Sequence, residues 1–107
     1  MEKIKFEYDK EANSLIIYKE KRTYASIDIG EIIIDLDKNY QLVAVEILNP
    51  DKLYKIPKKK FLEISSASMQ MQQRGSILWI YIILKFKNKE EINLPVSIPL
   101  TKPILTH

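Results

Sequence analysis

The sequence predicts an α+β fold dominated by antiparallel β-sheet, with about seven strands and one short helical segment near residues 50–64. Three observations predict it. Apolar and polar residues alternate with period two through most of the chain, as strands packed on one side require. Clusters rich in Asp, Asn and Lys interrupt that alternation at hairpin spacing. Helix-start chemistry gathers only after Leu48. At 107 residues the chain has room for one domain, divided into a β-meander over 1–49, a helical connection over 50–66 and three further strands over 67–99.

Ile4, Phe6 and Tyr8 fall on one face of a first strand, with Lys3, Lys5 and Glu7 opposite. Asp9 to Asn13 turns the chain, because short Asp and Asn side chains accept backbone N–H groups and tolerate turn conformations. Ser14 to Lys19 returns. Ala25, Ile27 and Ile29 share a face, and beyond Gly30 the parity of the apolar positions reverses through Ile32, Ile34 and Leu36. Such a shift calls for a bulge or sharp bend at Gly30–Glu31. Asp37-Lys38-Asn39-Tyr40 makes the next turn, and Gln41 to Leu48 forms the strand after it.

Asn49-Pro50-Asp51 reads as a helix start: Asn caps, Pro suits the first helical position, and Asp favours the positive end. Pro57 interrupts that helix, and Lys58 to Ile64 resumes it for a turn or two. From Ala67 the β pattern returns and passes through a turn at Arg74-Gly75-Ser76. Ile77 to Leu84 is apolar on both parities, as a strand covered on both faces is. Ile92, Leu94, Val96 and Ile98 line a last strand, and Pro95 places it at a sheet edge. The tail after Pro99 reads as irregular.

Tyr8-Asp9-x-Glu11-Ala12-Asn13-x-Leu15, then Asp35-Leu36-Asp37, then Leu42-Val43-x-Val45-Glu46-Ile47-Leu48, resembles the family catalogued as domain of unknown function 2283, over about residues 6–53. Members of that family carry an Asp-Gly type turn where this chain has Asn39-Tyr40, and the resemblance implies no activity.

Composition excludes several classes of chemistry. With no cysteine there is no disulfide, thiolate metal site or cysteine nucleophile. The serines, Ser14, Ser26, Ser65, Ser66, Ser68, Ser76 and Ser97, have only His107, the last residue, as a base. Two isolated glycines leave no glycine-rich phosphate loop. Catalytic residues, metal ligands and cofactors are therefore assigned to no position. The apolar run Ile77 to Leu84 is far short of the roughly 20 residues of a membrane span, and the N-terminus lacks a signal-peptide core, so a cytoplasmic location is expected. The Lys-, Glu- and Ile-rich composition suits a heat-adapted protein. Charge is segregated: residues 1–51 hold 7 Lys/Arg against 11 Asp/Glu, and residues 52–107 hold 10 against 3. Such a dipolar surface can steer a charged partner or a second copy.

Three constellations stand out. Asp35 and Asp37, two apart, would place carboxyls on the order of 6–7 Å apart on one strand face, the sole basis for a metal-dependent hydrolase. Lys55, Lys58, Lys59 and Lys60 form a candidate phosphate-binding stripe, with Arg74, Lys85, Lys87 and Lys89 nearby in charge and Tyr54 or Phe61 to stack on bases. Trp79, Tyr81 and Ile83 form a second apolar face on the longest strand. Either the Lys58–Ile64 segment covers that face, or it is an interface, with Met69, Met71 and the strand near Pro95 contributing. The favoured reading is a non-enzymatic interaction module, a homo-oligomer (dimer) or the binder of a small protein partner. A basic nucleic-acid binder is the alternative.

Overall fold

The structure, a computed structural model, describes residues 3–100. The described residues form eight strands in two antiparallel sheets: β1 (Ile4–Asp9), β2 (Ser14–Lys19), β3 (Ala25–Asp28), β4 (Ile32–Leu36), β5 (Leu42–Leu48), β6 (Ile64–Arg74), β7 (Ile77–Phe86) and β8 (Glu91–Pro99). A short helix α1 (Pro50–Tyr54) and a 3₁₀ turn (Lys58–Glu63) link the sheets. The predominantly antiparallel α+β class is the one expected, with five strands before the helix and three after it. Tail residues beyond Leu100, His107 among them, lie outside the described residues.

The first sheet runs β1-β2-β5-β4-β3 and is not the sequential meander that the alternation suggests. β5 lies at its centre, paired with β2 (Ile17 opposite Val45) and β4 (Ile34 opposite Val45). The reason is composition: Val43, Ala44 and Val45 are all buried, so both faces of this strand need cover. Residues 20–24 carry the chain to the far edge, where β3 lies. The parity reversal at Gly30 is the β3–β4 hairpin itself, with Ile27 opposite Ile34 and Gly30 at φ 82°. A left-handed position is one that glycine accepts without a Cβ penalty.

β6 starts at Ile64, three residues earlier than the pattern suggests, because Ile64 is buried opposite Phe86. The second sheet runs β6-β7-β8, and β8, with its Pro95, is an edge strand as expected. Inward-facing residues of both sheets, among them Leu15, Ile17, Ile34, Ile47, Leu78, Ile80, Ile82, Leu94 and Val96, form one hydrophobic cluster. Each fully buried aliphatic side chain of this kind contributes about 1.5–3 kcal/mol.

The motif Tyr8 to Asn13 is a structural joint. Asp9 Oδ1 accepts the Glu11 and Ala12 N–H groups, and Asn13 takes a left-handed φ of 51°. Tyr8 Oη donates to Asn13 Oδ1 at 2.7 Å, while Asn13 Nδ2 donates to Asn49 Oδ1 at 3.2 Å and Asp51 Oδ1 at 2.8 Å. Asn49 does precede α1, but its side chain makes no capping bond; it donates to Glu31 instead. The 3₁₀ turn buries one residue, Phe61, whose ring stacks on Tyr8 at 5.4 Å.

Candidate interaction face

β7 alternates strictly: Leu78, Ile80, Ile82, Leu84 and Phe86 point into the core, so Ile77, Trp79, Tyr81 and Ile83 point outward. The expected cover for this outer face is absent from the described residues. The 3₁₀ turn instead sends Phe61 into the core beside Tyr8 and leaves Leu62 exposed. A six-residue turn with one apolar anchor cannot cover two places, and the gap beside Tyr8 takes it. Ile77, Tyr81 and Ile83 are each 38% exposed, and the Trp79 and Tyr81 rings lie parallel within 12°, centroids 6.4 Å apart.

The register places Ser66, Ser68, Gln70 and Gln72 of β6 on one flank and Asn93, Pro95 and Ser97 of β8 on the other. Among the described residues, charges on this face occur only at its ends, Arg74 at one and the Lys85–Glu91 ion pair (3.6 Å) at the other. In a chain with 29% charged residues, an aromatic centre with an uncharged rim has the composition of an interface core. A groove of about 460 Å³ runs along it, lined by Tyr81, Ile83, Asn93 and Pro95. Met69 and Met71 do not contribute. They pair with Ile82 and Ile80 on the inward face, Met69 buried and Met71 half-buried.

The candidate lysines are only partly gathered. Lys55, Lys58 and Lys59 are exposed on the connection, whereas Lys60 pairs with Glu90 and lies 5.0 Å over the Phe86 ring. That pairing holds the Glu90 carboxyl below its usual range. Neither proposed base-stacking ring is available as expected: Phe61 is buried, and half-buried Tyr54 donates to the Pro95 carbonyl, its hydroxyl pushed up to about 12 by burial.

Asp35 and Asp37 do not form a pair. A register shift after Asp35 separates them; Asp35 accepts from Ser26, and Asp37 closes the β4–β5 turn through the Asn39 and Gln41 N–H groups and bonds Lys21 Nζ at 3.1 Å. The Gln41 N–H, then Lys21 and Asn39, hold the Asp37 carboxyl below the usual aspartate range against the opposing effect of burial. Among the described residues no group of three or more His, Asp or Glu could hold a metal ion, and no helix is long and apolar enough to cross a membrane.

The described residues thus define a small two-sheet antiparallel protein with one apolar sheet face that none of them covers. Residues 5–49 match the model of the family described as "Protein of unknown function (DUF2283)", a match that coincides with the five-stranded sheet. The motif resemblance over the first half is therefore found, and the candidate face on β7 lies beyond the matched segment. The chain is 39% identical over 62 residues to an uncharacterized protein of Methanocaldococcus jannaschii, covering 57% of this chain and 53% of that one, so it spans about half the length of that relative. It is 27% identical over 107 residues to a Methanosarcina mazei protein named "Putative hypoxanthine phosphoribosyltransferase", covering 87% of each. No solved structure matches.

Proposed function

We propose that the chain is a non-enzymatic interaction module that self-associates through the outer face of β7. The observation that carries this reading is the strip Ile77, Trp79, Tyr81 and Ile83, which no other described residue covers and which is rimmed by uncharged side chains. A second copy is the occupant that this chemistry favours. Two identical uncharged faces meet without repulsion, whereas a partner recognised by charge would find nothing to pair with at the centre. Trp and Tyr are the side chains in which interfaces concentrate binding energy.

The name of the Methanosarcina relative raises hypoxanthine phosphoribosyl transfer as another reading. Gly30 and Gly75, the only glycines, both lie in hairpin turns, so this chain offers no run of glycine N–H groups to cradle a phosphate.

Trp79 is the only tryptophan, so acrylamide quenching of its emission tests the proposal. The indole of the native protein should be quenched more weakly than that of a folded Tyr81→Lys variant. Equal quenching would refute self-association through this face, and salt-sensitive binding of random RNA that is lost on replacing Lys58 and Lys59 by Ala would favour the nucleic-acid alternative.

A further inference from the structure

A second concavity lies away from β7, on the first sheet. A cleft of about 550 Å³ opens between the β2–β3 connection and the β4–β5 turn, lined by Lys21, Arg22, Tyr24, Asp37, Lys38 and Asn39. Its volume falls within the range of small-molecule sites, roughly 300–1,000 Å³. Both walls are fixed by backbone bonds: Tyr24 N–H to the Leu36 carbonyl at 2.8 Å, Asp37 N–H to the Gln41 carbonyl at 2.9 Å and Tyr40 N–H to the Asp37 carbonyl at 2.9 Å. A site held this way loses little freedom when a ligand enters.

The lining carries three cations and one carboxylate. Asp37 is already satisfied by two backbone N–H groups and by Lys21, so the positive charge facing an incoming ligand comes mainly from Arg22 and Lys38. Beside them stands Tyr24, 68% exposed and the most exposed large apolar side chain among the described residues. Tyr24 begins the polypeptide's return to the sheet, so its ring has a firm base. A phosphate suits Arg22 and Lys38, since a guanidinium offers forked donors and an ammonium a point charge. A flat heterocycle suits the exposed ring face, because base stacking on an aromatic side chain tolerates any base.

We infer that this cleft binds a nucleoside monophosphate, its phosphate between Arg22 and Lys38 and its base on Tyr24. Neither Lys55, Lys58, Lys59 nor the β7 face takes part, so the inference stands independently of self-association.

Calorimetric titration at low ionic strength with AMP, adenosine and inorganic phosphate tests it. AMP should bind at one site per chain and at least about tenfold more tightly than adenosine or phosphate, since each contributes half of the contacts. Arg22→Ala and Lys38→Ala should each weaken AMP about tenfold, Tyr24→Ala should weaken AMP while leaving phosphate unchanged, and Lys59→Ala should have no effect. All four residues are exposed, so circular dichroism should show each variant folded. No AMP binding at millimolar concentration would overturn the inference, as would AMP binding that survives Arg22→Ala and Lys38→Ala. Phosphate binding as tightly as AMP would overturn the nucleoside assignment.

Discussion

Asn13 Nδ2 donates to the Asp51 carboxylate across 2.8 Å, joining residues 38 apart in sequence. Because Asn13 is also bonded to Tyr8 and Asn49, one buried side chain locks the first hairpin to the start of α1 and so to the chain's path into the second sheet. Asn13→Ala removes that network and places a Cβ-bearing residue without a compensating bond at φ 51°. It should destabilise the protein by about 2–4 kcal/mol. Asn13→Gly keeps the backbone conformation and should lose about 1–2 kcal/mol. Urea denaturation of the two variants checks the order.

The β4–β5 and β7–β8 turns share one backbone design. Tyr40 N–H bonds the Asp37 carbonyl and Lys89 N–H the Phe86 carbonyl, each at 2.9 Å, with the donor residue left-handed at φ 60° and 72°. This is the position where a three-residue hairpin loop favours glycine. Lys89 is exposed, so Lys89→Gly should stabilise by about 0.5–1 kcal/mol. Tyr40 packs against the core, and Tyr40→Gly should destabilise because the lost burial outweighs the relieved strain. Thermal melts of both variants should shift in opposite directions.

Stability should fall at both ends of the pH range. The Asp37 and Asp51 carboxyls lie below the ordinary aspartate value of 3.8, Asp37 chiefly through the Gln41 N–H and Asp51 chiefly through Asn13. A depressed folded pKa means that the unfolded chain takes up protons first, so this stabilisation is present above about pH 4 and is lost as pH falls below it. Tyr54 behaves conversely. Burial pushes it up to about 12 from 10, so the unfolded chain ionises first and stability falls between about pH 10 and 12. Melting temperature against pH should show both limbs, and Tyr54→Phe should flatten the alkaline one.

Phe61 is 1% exposed and stacks on Tyr8. Phe61→Ala should cost about 3–5 kcal/mol, the usual penalty for an emptied aromatic site, whereas neighbouring Leu62→Ala, at a half-exposed position, should change stability by less than about 1 kcal/mol. Chemical denaturation distinguishes them.

Features written locally were legible in the sequence. The Tyr8 to Asn13 hairpin shows in its alternation and its Asp and Asn residues, and Pro95 marks an edge because it lacks a donor. What depends on distant partners was not. β5 takes the centre of its sheet because, besides its hairpin partner β4, it pairs with β2, which is remote in sequence, and Lys60 leaves the lysine cluster for Glu90, 30 residues away. A strand apolar on both parities reads the same whether its second face meets this chain or another, so the uncovered Trp79 face needed the structure. Asn49 carried a capping signal, but Glu31 and Asn13 claim its side chain. The cleft did leave a trace, the cation and aromatic run Lys21-Arg22-Thr23-Tyr24 between two strands.

Sedimentation equilibrium of native protein and Tyr81→Lys tests the central claim most directly. Self-association through β7 predicts a native mass of twice the 12.6 kDa chain and a single-chain mass for the variant, with the same circular dichroism spectrum for both. A native protein that stays at the single-chain mass as concentration rises, or a dimer unmoved by Tyr81→Lys, would contradict it.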